Sequence, residues 1–325
     1  MKRDKIVYGA LLCGVVLLCN SCMLGRRQIK SPELELPATV VAGATDSLTM
    51  ADMAWWNVYS DSTLTALIER TLERNKDMLA ASARVRRMRA LGRVARADQL
   101  PSVSGQLVAD TEHNDYDGEA AKNDPEFDAK VSLAWELDLW GNLRWANRKA
   151  VAEYLATVDA QRALQMTLVA EVATAYYELV ALDQELSIVR RTLQTRKEGV
   201  RQARLRFEGG LTSETALQQA KVELASTATL IPGLESRIAL KEHQIALLAG
   251  AYPTLRIDRQ TMEMHARLPE RLKVGLPSEL LKRRPDLRQS EQTLRAAEAA
   301  MGMASADRFP RITFSLTGGW ENDDL

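Results

Sequence analysis

Between Pro125 and Pro232 the chain contains no proline, and from Asn142 onward its apolar residues fall on a seven-residue frame. That frame runs through Val151, Tyr154, Val158, Leu168, Val172, Ala175, Leu179, Leu182, Leu186, Val189, Leu193, Val200, Ala203 and Phe207, with Gln161, Gln165 and Arg196 as polar interruptions. A sustained 3.5-residue repeat specifies supercoiled helices rather than a globular core. At 1.5 Å per residue the helix is on the order of 100 Å long. Gly209 and Gly210 end it, and Thr212 or Ser213 can cap a return helix. The return repeats the frame at Leu217, Ala220, Leu224, Ile231, Leu234, Ile238, Ile245 and Leu248, with a kink expected at Pro232 and Gly233. Gly250 and Pro253 close a helical hairpin over 142–250, and 251–274 reads as an equatorial segment beside it.

A different period precedes the hairpin. In FDAKVSLAWELDLW, residues 127 to 140, the residues Phe127, Ala129, Val131, Leu133, Trp135, Leu137 and Leu139 occupy every second position. Asp128, Lys130, Ser132, Ala134, Glu136 and Asp138 fill the gaps, so a strand here has one apolar and one polar face. PSVSGQLVADTE alternates likewise, with Val103, Gly105, Leu107 and Ala109 on one side. The two segments, joined by the polar loop HNDYDGEAAKNDPE, predict a β-hairpin over 101–139. Its strands, about 12 residues each, exceed the usual five or six and approach the length of a tilted membrane strand.

The first 21 residues read as a secretory signal, with Lys2, Arg3 and Lys5 before a short apolar run from Ile6 to Leu18. At about 13 residues that run is too short to serve as an ordinary membrane helix. Ser21 before Cys22 resembles the bacterial lipobox, in which the cysteine is acylated and becomes the mature N-terminus; Cys19 stands where leucine is usual. Ordinary cleavage without a lipid is the alternative. All three cysteines lie at or before Cys22, so a lipidated chain keeps no thiol for a disulfide. Residues 22–50 carry no periodicity and read as a lipid-anchored arm. Trp55 and Trp56 read as core anchors. Asp61 or Ser62 can then cap a helix with the stripe Leu64, Leu67, Ile68 and Leu72. The next helix is rich in arginine, at 84, 86, 87, 89, 93 and 96, and packs through Ala81, Val85, Met88, Gly92 and Ala95, leaving the arginines as a solvated face.

An internal repeat organises these parts. DMLAASARVRRMRALGRVARADQLP, 77–101, aligns without gaps on DLRQSEQTLRAAEAAMGMASADRFP, 286–310. After both prolines an alternating strand begins; in RITFSLTGGW, Ile312, Phe314, Leu316 and Trp320 share one side. The first copy is expected over 51–274 and the start of a second over 275–325, with Leu325 falling inside its first strand. A chain that ended there is expected to leave this second copy incomplete.

The helices commit their stripes to one another, so the apolar side of the strands is expected to face lipid. An open sheet edge is forbidden in lipid, and three strands cannot close a barrel, so several chains must contribute. Phe127, Val131, Leu133, Trp135, Leu137 and Leu139 are the lipid-facing candidates; Asp128, Lys130, Ser132, Glu136 and Asp138 face a water-filled lumen. Positive and negative side chains balance at 43 each, which offers nothing to nucleic acid. The three histidines, His113, His243 and His265, lie far apart without metal-ligand spacing. No catalytic grouping, phosphate loop or cofactor motif emerges, so an enzyme is not expected. The rival reading is a periplasmic adaptor or coiled-coil scaffold lipoprotein.

The motifs WWNVYSDSTLTALIERTLERNKD, ADQLPSVS, WELDLWGNLR, LVAEVATAYYEL, RFEGGLTSETALQQA, GLPSELLKRRPDL and ADRFPRITFSLTGG resemble the outer-membrane factor lipoproteins, the TolC-like exit ducts of tripartite efflux pumps. The resemblance covers the chain from about Trp55 to its end. It implies a Gram-negative outer-membrane location and a homotrimer in which each chain gives four strands to a twelve-stranded β-barrel and helices to a periplasmic tunnel. A chain ending at Leu325 is then expected to leave the tunnel wall incomplete and to be a truncated, non-conducting product. It implies a lipid on Cys22, an inner-membrane pump as partner, and a periplasmic adaptor at the hairpin tip, Gly209, Gly210, Leu211, Thr212 and Ser213. Many members carry aspartate where Ala216 stands, so a gate held by that carboxylate is not carried over.

Overall fold

The computed structural model describes residues 61–114, 122–259 and 282–322. The signal segment 1–21, Cys22, the arm 22–50, Trp55, Trp56, the loop residues 115–121 and residues 260–274 of the equatorial segment lie outside the described residues. In chain order the elements are α1 (Ser62–Arg74), α2 (Lys76–Ala97), β1 (Ser102–Asn114), β2 (Lys122–Leu137), α3 (Asn142–Glu208), α4 (Glu214–Leu248), α5 (Pro285–Ala306) and β3 (Ile312–Asn322).

The 67 residues of α3 form one helix, as its unbroken periodicity predicts. The return helix α4 has 35 residues, so it accompanies only the C-terminal half of α3. Along that half, ion pairs cross between the two helices: Lys241–Glu178 at 2.5 Å, Arg237–Glu185 at 3.2 Å, Arg190–Glu235 at 2.7 Å and Arg196–Glu223 at 3.1 Å. Exposed pairs of this kind contribute roughly 0–1 kcal/mol each, so they set register more than stability. The N-terminal half of α3 is flanked by α2 and α5. Gln161 Nε2 donates to Ser82 Oγ at 2.8 Å, and Arg288 reaches the buried Asp159 at 3.4 Å. Arg162 neutralises the same carboxylate at 3.1 Å.

The middle of α3 departs from the expected two-sided seam. Leu168, Val169, Val172, Ala173, Ala175, Tyr176, Leu179 and Val180 are all buried, whereas Val151 and Phe207, at the ends of the frame, are exposed. A globular core therefore exists at this level. It forms because α1 lays Leu64, Leu67 and Ile68 on α3 while α4 contributes Leu234, Ile238 and Ile245. A helix touched on several sides buries more than an a/d stripe.

Two junctions hold α1 in place. Asp61 is the N-cap, with Oδ1 accepting from the Thr63 and Leu64 N–H groups at 2.8 and 3.1 Å. Its Oδ2 accepts from the Tyr176 hydroxyl at 2.7 Å, so one buried carboxylate both caps α1 and fastens it to α3. At the other end Asn75 caps α2 through Asp77 and Met78, and its Nδ2 donates to the Leu248 carbonyl at 3.0 Å. Gly250, with φ +60°, ends the chain's return there: a Cβ on it would lie 2.4 Å from the Arg74 carbonyl oxygen. α4 runs through Pro232 without ending, giving up that residue's N–H bond.

The segment after α4 is strapped down by Ile257, which is buried, and by Arg259, which pairs with Asp183 at 2.7 Å and with Glu242. Burial raises the Asp183 carboxyl above its ordinary value, Arg259 opposes the rise and Glu242 adds to it. A carboxyl whose folded pKa is raised binds its proton more tightly than the unfolded chain does. Its contribution therefore turns against the fold as pH rises above the ordinary carboxylate range. R259Q removes the opposing cation. Its stability deficit is expected to grow between about pH 4 and pH 7 and to shrink on acidification, read as denaturation midpoints across that range. A deficit independent of pH contradicts the assignment.

Candidate functional site

The three strands form one antiparallel sheet in the order β1-β2-β3. The register places Val103, Leu133 and Leu316 side by side, and likewise Leu107, Ala129 and Trp320; Trp135 faces Phe314, and Leu137 faces Ile312. Ser104, Ser132 and Thr317 align on the opposite face, as do Gln106, Lys130 and Gly319. Directly opposed residues share a face, so each face runs across all three strands, with Val108 and Ala134 as apolar exceptions on the polar side. The Ser132 and Thr317 hydroxyls lie 3.1 Å apart, and Lys130 is paired with Asp128.

The apolar face is uncovered by the described residues. Leu107 is 86% exposed, Leu316 62% and Trp320 63%; Val103, Val131, Trp135, Ile312 and Phe314 are also exposed. Phe127, Leu133 and Leu137 are half-buried in the central strand. In water such a contiguous surface is an interaction site or an aggregation liability.

The strands are longer than expected, 13 residues for β1 and 16 for β2. Asn114 ends the first and Lys122 starts the second, so both ends of the predicted polar loop, half of its residues, are strand, with Pro125 opposite Thr111. At the other end the strand stops sooner. Leu139 and Asp138, read as the last lipid-facing and lumen-facing positions, lie beyond Leu137 and outside β2. Asp138 instead holds the start of α3: its carboxylate accepts from the Leu143 and Arg144 N–H groups at 3.1 and 3.0 Å and pairs with the Arg144 side chain at 3.0 Å. Gly141, whose own side cannot cap, leaves those donors to it.

Three strand-to-helix elbows are bolted together around Trp140. Its Nε1 donates to the Pro310 carbonyl at 2.9 Å, and its ring stacks on Phe309 with centroids 4.7 Å apart. Asn142 Nδ2 donates to Asp307 at 2.7 Å. On the opposite flank the Trp135 Nε1 donates to the Gln99 carbonyl at 3.2 Å, and Gln99 Nε2 to the Leu143 carbonyl at 3.3 Å. The sheet is thus tied to α3 and both flanking helices by polar contacts that alternation alone does not reveal; the repeated proline elbows at 101 and 310 were the available signal.

At the far end of the hairpin, the Gly210 N–H donates to the Phe207 carbonyl at 2.9 Å and the Leu211 N–H to the Arg206 carbonyl at 2.8 Å. This is a Schellman closure with Gly210 at φ +70°. Gly209 has φ −80° and could be another residue on conformational grounds. Leu211 is 80% exposed, and Thr212 and Ser213 follow it to the N-cap, Ser213, whose side chain makes no capping bond. Gly210→Ala is expected to lose about 1 kcal/mol, the cost of a left-handed L-residue, and Gly209→Ala much less, in urea unfolding followed by helical signal.

Among the described residues there is no cluster of metal ligands, and no helix is long and apolar enough to cross a membrane. The combination of a two-faced sheet, proline elbows and a long helical hairpin has a counterpart among known families. Residues 67–251 and 276–325 match the family described as outer membrane efflux protein.

The chain belongs to the outer membrane efflux protein family.

Members of this family are channels, not enzymes, located in the outer membrane of Gram-negative bacteria and reaching into the periplasm. The family match sets aside the adaptor reading. The chain is 31% identical over 302 residues to nodulation protein T of Rhizobium leguminosarum bv. viciae, covering 92% of this chain and 62% of that protein. It is 32% identical over 273 residues to the solvent efflux pump outer membrane protein SrpC of Pseudomonas putida, covering 82% and 57%. The chain thus spans about three fifths of these relatives' lengths. Among solved structures, the outer-membrane channel OprN superposes with a TM-score of 0.75 at 29% identity, covering 90% of this chain and 72% of that one. CusC gives 0.74 at 27% identity, covering 91% and 68%. The long-helix architecture is that of TolC-like channels.

Proposed function

We propose that this chain is the outer-membrane exit duct of a tripartite efflux pump or secretion system, a passive conduit assembled as a homotrimer. The sheet β1-β2-β3 is its share of a closed transmembrane barrel, and the α2–β1 and α5–β3 pairs are equivalent parts of an internal repeat. Both helices have 22 residues and both lead through a proline into a strand, which supports that reading. Phe127, Val131, Leu133, Trp135 and Leu137 face lipid, and Asp128, Lys130, Ser132 and Glu136 face the lumen. Cys22 carries the acyl anchor. The tip from Gly209 to Ser213 meets a periplasmic adaptor, which in turn engages an inner-membrane pump.

The observation that carries the proposal is the uncovered apolar face of a sheet whose other face is mostly polar. A sheet of a water-soluble protein buries its apolar side; only lipid satisfies this one at no cost to the helices, whose stripes are occupied. The relatives' names include solvent and cation efflux, so cargo is not carried over from them. The test is purification from the native outer membrane followed by planar-bilayer recording. Trimers of heat-dependent gel mobility that conduct ions are expected. A monomer released from the membrane by alkaline or urea washing would overturn the proposal.

A further inference from the structure

Helix α2 carries the most one-sided charge in the described chain. Arg84, Arg86, Arg87, Arg89, Arg93 and Arg96 are all exposed, and Asp77 is the helix's one acid. None of the six forms an ion pair or hydrogen bond with another described residue. Elsewhere arginines of this chain find carboxylates, as Arg144, Arg190, Arg196, Arg237 and Arg288 do. The repeat-equivalent helix α5 shows the contrast: Arg295 pairs with Glu291 at 2.7 Å, and glutamate 298 stands where α2 has Arg89.

Spacing sorts the six. Arg86, Arg89, Arg93 and Arg96 follow one another at 3, 4 and 3 residues, which is a single stripe on an α-helix. The stripe lies beside the face that packs on α3 through Ala81, Ser82, Val85 and Gly92. Arg84 and Arg87 point elsewhere and lie nearer the start of the helix. The stripe climbs towards the sheet and ends at Arg96, six residues before β1 begins. Arg308, in the elbow before β3, is exposed and equally without a partner among the described residues. Beside these elbows the apolar surface begins, with Leu100, Trp135 and Ile312 exposed.

We propose that Arg93, Arg96 and Arg308 form a basic collar that binds the anionic phosphodiester headgroups of the periplasmic leaflet. The inference rests on the reading of the sheet as membrane-embedded. Headgroups occupy a layer of about 5–7 Å beyond the hydrocarbon core, and an arginine side chain at the base of the strands reaches it. Guanidinium groups suit phosphate because their planar donors match its oxygens. Arg86 and Arg89, about 10–15 Å below Arg96 along the helix, extend the attracting field without direct contact. Charge complementarity favours phospholipid because the strand face above is already apolar, so one molecule satisfies both surfaces.

The test uses the full chain purified from native membranes and offered to vesicles of phosphatidylcholine alone or with 30% phosphatidylglycerol, followed by flotation at low and high salt. Binding to both vesicle types is expected, with stronger, salt-sensitive binding to the anionic ones. Each neutralisation in R93Q, R96Q and R308Q is expected to reduce the anionic preference roughly five-fold, leaving neutral-vesicle binding unchanged. R84Q/R87Q, off the stripe, is expected to keep the preference. Equal binding to both vesicle types by the parent chain overturns the collar while leaving the membrane reading intact. Binding to neither overturns the membrane reading itself. An equal loss in R84Q/R87Q reduces the effect to net charge and also overturns the collar, as does a change of oligomeric state in neutral detergent caused by R93Q.

Discussion

Leu133→Arg is expected to abolish the folded, membrane-inserted form of this protein, while Ser132→Arg, one residue away, leaves it in place. Leu133 sits between Val103 and Leu316 on the apolar face, and Ser132 sits between Ser104 and Thr317 on the polar one. An arginine on the lipid side of a barrel strand costs roughly 2–4 kcal/mol at the bilayer midplane and close to nothing on the water side. That difference corresponds to a folded-to-unfolded ratio lowered about 30- to 1,000-fold. Heat-dependent gel mobility of outer-membrane fractions reads it directly. The pair is informative because a chain whose sheet packs on protein would tolerate neither arginine. A chain whose polar face is the buried one reverses the order.

The second large effect lies at Asp61. Its two oxygens accept hydrogen bonds from the Thr63 and Leu64 amides and from the Tyr176 hydroxyl, and the residue is 2% exposed. Asp61→Ala removes the cap, worth about 1 kcal/mol, and leaves the buried Tyr176 hydroxyl without that acceptor, worth a further 1–3 kcal/mol. A loss of about 3 kcal/mol is expected in urea denaturation of the helical signal. Tyr176→Phe keeps the cap but strips a donor from a buried carboxylate, and is expected to lose about 2 kcal/mol. If Asp61→Asn and Asp61→Ala prove equally mild, α1 is held by Leu64 and Ile68 alone.

The elements legible from sequence were those with strong local periodicity. α3 and the paired strands follow from their spacing, and the ends of the hairpin follow from Gly209, Gly210 and Gly250. What sequence missed depends on contacts between distant segments. The globular core around Tyr176 arises because α1 crosses α3, and no heptad count on α3 alone anticipates a third helix. Asp138 continued the alternation of β2 by position, yet the backbone turns at Leu137 and the carboxylate serves α3 instead. The strand ends at 114 and 122 were hidden because their residues, among them His113, Asn114, Lys122 and Asn123, are polar and break the apolar alternation. For the candidate site, the two faces of β2 were readable, while the elbow contacts of Trp140 with Phe309 and Pro310 were not, since they join residues 170 positions apart. The arginines of α2 were visible in the sequence; only the structure shows them unpaired among the described residues.

The measurement that bears most directly on the account is solvent accessibility along β1 and β2 in native outer-membrane vesicles. Single cysteines at 105, 106, 107 and 108 and at 131, 132, 133 and 134 would carry spin labels, with collision rates measured against oxygen and against a water-soluble nickel complex. Strict alternation is expected: oxygen dominates at 105, 107, 131 and 133, and the nickel complex at 106, 108, 132 and 134. Uniform protection from both reagents at 107 and 133, or alternation of the opposite sense, would show that the apolar face meets protein rather than lipid and would contradict the channel reading.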